Sequence, residues 1–162
     1  MMPFSLVTLV RVGPLVFSTA LLVSNLWQKH AFHAWLHPDS PAPSNVLPKW
    51  HIRFTSSSII DLGVQFVAGL VFGAANLYIR TEGDTVARKW YGASLAFTLA
   101  HVVFSKQAID GLRAAQKVEG AGKPNLVALE KWLAVNRVRF YVSEVPALVA
   151  AVMAVGLSLQ AA

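Results

Sequence analysis

The sequence contains no cysteine, which excludes disulfide bonds, thiolate nucleophiles, cysteine-bound zinc and iron–sulfur clusters. Charged residues are also scarce, at 14% of the chain against about 25% in an average soluble domain. No glycine-rich phosphate loop or dinucleotide-binding fingerprint is present. These absences argue against a thiol enzyme and against a soluble enzyme with a nucleotide-binding half.

Apolar residues make up 55% of the 162 residues, and the mean hydropathy is +0.51. A soluble domain of this size buries only about 60–70% of the surface that its unfolded chain exposes, so the apolar excess must face something other than water. We predict an all-α fold, an integral membrane, multi-pass four-helix bundle that forms one domain over residues 1–162. The predicted spans lie near residues 6–27, 57–79, 91–109 and 134–159.

Proline and glycine mark the predicted connections between these spans. Pro38, Pro41, Pro43 and Pro48 predict that the middle of the first connection is not helical, and Gly83 predicts a helix end in the second. The net charge of +6 comes from basic residues between the apolar stretches, where they suit anionic head groups. We therefore predict membrane lipid as a partner and no nucleic acid.

Each predicted span also has polar residues at helical spacing, which places them on one face of a helix with 3.6 residues per turn. Ser, Thr, Asn and Gln on such stripes commonly bond neighbouring helices, at about 0.6–2 kcal/mol each. That structural interpretation suffices for Ser18, Ser58, Ser94 and Thr98. The stripes comprise Arg11, Ser18 and Asn25; Ser58, Asp61, Gln65, Gly69 and Asn76; Ser94, Thr98, His101 and Ser105; and Asn136, Arg139 and Ser143 beside Arg137, Tyr141 and Glu144.

Three ionisable residues within the spans call for a further explanation. Asp61 and Glu144 are the only acids well inside predicted spans, and a charged carboxylate there costs about 2.5–3.5 kcal/mol on insertion scales. We predict that Asp61, His101 and Glu144 converge as the catalytic residues of an acid/base site. The structural alternative pairs Glu144 with Arg137. The predicted substrate-binding residues are Asn25, Gln65, Asn76, Asn136, Arg139 and Tyr141.

A histidine-rich stretch offers a different site. His30, His33 and His37 have spacings that suit one helical face, and His51 follows the proline-rich segment, so zinc, iron or copper binding is an open alternative. No acid completes a known iron-oxygenase pattern, and the stretch lies at a predicted membrane edge. We predict neither a metal nor a cofactor.

The entry to the fourth span shows a family resemblance. Trp132, Asn136 and Arg139 form a W-x-x-x-N-x-x-R pattern that resembles the last helix of anthrone-oxygenase-like proteins, and the WHIRF stretch at 50–54 is also similar. This resemblance implies a small four-helix membrane protein of fungal polyketide pathways, located in the endoplasmic reticulum, that oxidises a lipophilic substrate without a metal or flavin. Residues 101–105 read HVVFS where that family tends to have a Pro-Phe-Thr stretch.

The departure from that family and the three ionisable residues favour different chemistry. Our leading hypothesis is a hydrolase- or cyclase-type tailoring enzyme of specialised metabolism that opens or cyclises an epoxide on a lipophilic polyketide. The runner-up is cofactor-independent oxygenation of an anthrone-like phenol, for which Asn136 and Arg139 would matter more than Asp61. A non-catalytic scaffold or transporter subunit is the third hypothesis, and the sequence leaves a homo-oligomer open.

Overall fold

The computed structural model describes residues 6–37, 39, 45–79 and 85–160, and all regular structure in these ranges is helical. α3 continues through a 3₁₀ turn into α4, and α5 continues through a π turn into α6, so the described chain forms four long helical units. The predicted all-α fold of four helices is confirmed. The elements are α1 (Leu6–Leu36), α2 (Leu47–Tyr78), α3 (Thr85–Ala100), the 3₁₀ turn (His101–Phe104), α4 (Ser105–Ala115), α5 (Lys123–Arg139), the π turn (Phe140–Glu144) and α6 (Val145–Gln160).

The first two helices extend beyond the predicted spans. Pro48, predicted to lie in a non-helical connection, in fact lies in the first turn of α2. Proline is tolerated there because the first N–H groups of a helix have no partner within it. Pro38, Pro41 and Pro43 and the predicted helix end at Gly83 lie outside the described residues.

Three helical units are long and apolar enough to cross a membrane: α1, α2, and the continuous stretch from α5 to α6 (Lys123–Gln160). The third predicted span, 91–109, is divided among α3, the 3₁₀ turn and α4. Large apolar side chains also cover the outer face of α2, where Ile60, Val64 and Val71 are at least 60% exposed. The outside of this helix is therefore better suited to an apolar environment than to water.

Two hydrophobic clusters lie at different levels along the bundle. The aromatic cluster is centred on Phe32, whose ring makes edge-on contacts with Trp50, His51, Phe54 and Trp132. The second cluster joins Ala87 and Tyr91 of α3 to Ala154 and Val155 of α6 and packs against Val12 and Leu15 of α1. The second cluster contacts α1 near position 13, and the aromatic cluster includes position 32 of the same helix. The middle of the bundle therefore lies between the two clusters.

Candidate active site

A cavity of about 160 Å³ lies in this middle region, walled by all four helical units. Its size suits a group of about one aromatic ring. Most of the wall is apolar, including Leu21, Phe54, Leu62, Phe66 and Leu112, and the aromatic cluster closes one end through Phe32 and Trp132. The polar lining consists of Asn25, Gln28, Thr55, Ser58, His101, Arg139 and Glu144.

Glu144 is the centre of the polar lining. One carboxylate oxygen, Oε1, accepts hydrogen bonds from Asn25 Nδ2 at 3.0 Å and from Arg139 Nε at 3.1 Å. His101 Nδ1 lies 3.7 Å from the same oxygen, which is within ion-pair range when the imidazole is protonated. The other oxygen, Oε2, is buried and has no hydrogen-bond partner among the described residues. The carboxylate is thus held by one oxygen, and the second is available to a ligand.

The π turn explains why Arg139 and Glu144 meet. Residues five apart on an α-helix point about 140° away from each other, since each residue turns by about 100°. The π turn over Phe140–Glu144 bonds residues five apart instead, and so brings the two side chains together. Pro146, two residues after the end of this turn, cannot donate to the carbonyl of Val142, which disfavours a regular α-helix at this point.

His101 reaches the site from the other irregular segment, the 3₁₀ turn that separates α3 from α4. Its ring lies 5.4 Å from the ring of Phe66 on α2. Two of the three predicted catalytic residues are therefore brought together, and each lies where a long helix departs from α geometry. Such departures are frequent at functional sites.

Asp61 does not join them, so the expected convergence of all three residues is wrong. Its side chain is exposed on α2 and lines a groove against α1 that also contains Ser24 and Gln65. The neighbouring Leu62 borders both the groove and the cavity, whereas Asp61 borders the groove and not the cavity. In the same groove, Ser24 Oγ donates to Gln65 Oε1 at 3.2 Å.

The predicted substrate-binding residues are divided among several places. Asn25 and Arg139 line the cavity, whereas Gln65 lies in the groove. Asn76 is buried and donates to the carbonyls of Val10 and Phe72, so it links α1 and α2 away from the cavity. Asn136 and Tyr141 line a smaller second cavity on the other side of Asn25. Arg137 lies there too and not beside Glu144, so the structural pairing considered from the sequence is wrong.

The histidines do not gather into one site. His30, His33 and His37 are exposed on or just after α1, and His51 is buried in the aromatic cluster. Within the ranges that the structure describes, no three His, Asp or Glu side chains are placed to share a metal ion.

Sequence reasoning missed several contributors. Gln28 lines the cavity one helical turn after Asn25, a spacing that could have indicated it.

A second buried polar group, here called the Arg11 cluster, consists of Arg11, Tyr91 and Ser158. Arg11 Nη1 donates to the Ser158 carbonyl at 2.6 Å, and the Tyr91 hydroxyl donates to the Arg11 carbonyl at 3.0 Å. Only the first of the three belongs to a predicted polar stripe.

The chain is similar to several proteins of fungal secondary-metabolite pathways. The chain is 30% identical over 153 residues to epoxidase gkaX of Penicillium citrinum, an alignment that covers 90% of this chain and 92% of that protein. It is 29% identical to epoxidase pydX of an Acremonium species, over 86% of this chain and 87% of that protein. Oxaleimides biosynthesis cluster protein N of Penicillium oxalicum is 25% identical, over 84% of this chain and 81% of that protein.

The chain therefore belongs to the family of epoxidase gkaX, proteins of fungal secondary-metabolite pathways. No protein-family model matches the sequence, and no solved structure matches it. The resemblance to anthrone oxygenases stays a prediction.

Proposed function

We propose that the chain is a membrane-embedded tailoring enzyme of secondary metabolism that converts a carbon–carbon double bond of a lipophilic substrate into an epoxide. Two of the relatives described above are named epoxidases, which favours forming an epoxide over opening one. The observation on which the proposal depends most is the Glu144 carboxylate, buried at 5% exposure beside an apolar cavity with one oxygen unpartnered. Ligand sites have this character, mostly apolar with a few convergent polar groups.

The chemistry of this proposal requires an oxidant, and we propose dioxygen. One of its oxygen atoms is added across the double bond, and the other leaves as water after taking up two protons and the two electrons of an external hydride donor of the reduced-nicotinamide class. Glu144 and His101, with Nδ1 of the histidine 3.7 Å from Oε1 of the glutamate, would hold and transfer protons within the cavity. The Arg139 guanidinium would stabilise negative charge that develops on oxygen, an effect that is strong where water is excluded.

The membrane location is part of the same proposal. Three helical units have the length and composition to span a bilayer, and the outer face of α2 is apolar. A lipophilic substrate dissolved in the bilayer would then reach the cavity between the helices without crossing water. The anthrone-oxygenase resemblance favours the endoplasmic reticulum as the membrane. Contact with membrane lipid follows from this location, and a homo-oligomer is compatible with it.

Opening of an epoxide is the second candidate, and the proximity of Glu144 to His101 favours it. In this reaction protonated Glu144 gives its proton to the epoxide oxygen as a carbon–oxygen bond breaks. His101 accepts the proton of the water or hydroxyl whose oxygen forms the new bond to carbon. Anthrone-type oxygenation receives less support, because Asn136 and Arg139 line different cavities.

Isotope labelling distinguishes these reactions. The chain would be expressed in membranes, supplied with lipophilic polyene precursors or, separately, with their epoxides, and given labelled oxygen once as dioxygen and once as water. We expect one labelled atom from the gas in the product, by mass spectrometry. Label from water, or cyclisation of a supplied epoxide without any label, would overturn epoxidation in favour of the second candidate. Membranes with a Glu144→Gln variant measure the background, and Glu130→Gln, an exposed carboxylate on α5, is the matched control.

A further inference from the structure

The second cavity, here called the Asn136 cavity, lies between α1 and the junction of α5 with the π turn and has a volume of about 70 Å³. Asn136 is only 3% exposed, yet neither polar atom of its side chain has a hydrogen-bond partner among the described residues. Buried amides are nearly always hydrogen-bonded, since the hydrogen bonds to water that are lost on burial must be replaced by others. An amide buried in this way against a cavity must take its hydrogen-bond partners from whatever occupies that cavity.

The charges around this cavity indicate the chemical class of ligand that it would bind. Lys29 and Arg137 line it together with His33, and none of its described lining residues is acidic. The volume is about twice the share of one water molecule, roughly 30 Å³, so it takes a group of the size of a carboxylate but no extended apolar skeleton. A small anionic oxygen group fits both the charge and the space.

We propose that the Asn136 cavity binds an acidic oxygen group at the polar end of the same substrate whose apolar part occupies the cavity beside Glu144. This inference rests on the proposed function. Asn25 is the structural link, because its side chain lines both cavities and donates to Glu144 Oε1. A substrate anchored at Asn136, Lys29 and Arg137 would lie past Asn25 with its apolar chain beside the carboxylate.

The headgroup of an anionic lipid has the same chemistry as such an acidic group. Because Asn25 borders both cavities, a group bound in the Asn136 cavity lies next to the proposed active site. This position favours a substrate over a lipid headgroup, which does not need to lie next to a reaction site. The experiment must therefore compare a free carboxylate with an anionic lipid.

The test uses the full chain in detergent, with radiolabelled decanoate at pH 8 as the probe and methyl decanoate as its uncharged counterpart. We expect decanoate to bind about tenfold more tightly than the ester, since hydrogen bonds to charged groups are the stronger ones. Arg137→Gln and Asn136→Leu should each weaken decanoate binding by about the same factor and leave ester binding unchanged. Lys131→Gln, which removes an exposed charge on the same helix outside both cavities, should change neither.

Equal binding of acid and ester by the unaltered chain would overturn the proposal, as would decanoate binding that is insensitive to Arg137→Gln. Because Arg137 is exposed, that variant remains informative even if Asn136→Leu fails to fold. Competition by phosphatidylglycerol, but not phosphatidylcholine, at the decanoate concentration would overturn the substrate assignment in favour of a lipid headgroup. The binding result is independent of the isotope experiment. Selective decanoate binding without epoxidation would overturn the proposed reaction alone. Epoxidation without selective decanoate binding would overturn the role proposed for the Asn136 cavity.

Discussion

The same bundle contains two buried polar clusters with opposite character. In the Arg11 cluster, a guanidinium, a phenol and a serine satisfy one another and nearby carbonyls, and none of their side-chain atoms is buried without a partner. Around Glu144 and Asn136, three side-chain atoms are buried without a partner in the described structure, and each residue borders a cavity. The first arrangement is complete without a ligand, and the second is not.

This contrast separates stabilising polar groups from groups available for chemistry. An unsatisfied buried polar atom costs about 1–3 kcal/mol, so a fold that leaves several together gives up stability at that place. The Arg11 cluster shows that this chain can satisfy even a buried guanidinium. We attribute the unsatisfied atoms around Glu144 to the proposed function because they border a cavity, and the two clusters should respond differently to mutation.

The largest effect is expected around Glu144 and Asn136, here called the open cluster in contrast to the closed Arg11 cluster. Glu144→Gln keeps the shape of the side chain but removes the carboxylate, and we expect turnover to fall at least about 100-fold, the usual contribution of a positioned acid or base. The change also leaves the buried Arg139 guanidinium without its counter-charge, so some loss of thermal stability is expected and turnover is counted per folded molecule. Product formation per folded molecule, measured by mass spectrometry, checks this.

Glu130→Gln makes the same chemical change at an exposed site on α5 and should keep full activity. If Glu144→Gln retained turnover close to that of Glu130→Gln, the open cluster would have no catalytic role.

The closed cluster should respond in stability instead. Arg11→Met removes the donor to the Ser158 carbonyl, and we expect the free energy of unfolding to fall by about 1.5–3 kcal/mol, the usual range for a hydrogen bond from a charged group. Turnover per folded molecule should stay unchanged. Unfolding in detergent measures the first quantity. Arg113→Met, at an exposed position on α4, is the control, and an equal loss of stability there would contradict the explanation.

The difference between the clusters also shows how far sequence reasoning reaches. Apolar length and the 3.6-residue period predict the helices and the stripes that contain Glu144, Arg139 and Asn25, because both are local properties. The pairing of Glu144 with Arg139 is not predicted, since it depends on a π turn that breaks this period. The partner of Arg11 lies 147 residues away, and such a contact is set by packing alone.

Asp61 shows the converse limit. A polar stripe indicates which residues share a face of a helix. Within one turn of a long helix in a bundle, however, neighbouring residues can face a cavity, a groove or the outside of the bundle. The stripe therefore cannot distinguish Asp61, in the groove, from Ser58, which borders both the groove and the cavity.

Close packing next to the closed cluster gives a smaller effect. Gly13 lies two residues from Arg11, and a methyl group added there would overlap the Phe72 ring and come within 2.7 Å of its Cβ. We expect Gly13→Ala to lower the free energy of unfolding by about 1–3 kcal/mol, as overpacking does. Gly63→Ala on α2 is the matched control, since nothing lies within 4 Å of the added atom there.

In the control, stability should hold or rise by up to about 1 kcal/mol, because alanine favours helix more than glycine. Equal thermal midpoints for the two variants would show that α1 and α2 are not packed this closely.

The smallest effect is expected for Asp61→Asn, which removes a charge that borders the groove and not the cavity. Because Asp61 is exposed and makes no contact with the Glu144 site in the described structure, turnover should stay within about twofold of the unaltered chain, the range of surface substitutions. Parallel assays with Glu144→Gln in the same membranes give the comparison directly. A loss as large as that of Glu144→Gln would mean that α2 rotates or shifts during turnover and brings the carboxylate of Asp61 to the cavity. The open cluster would then contain the three ionisable residues that the sequence predicts, and the groove beside Ser24 would be the resting position of the third.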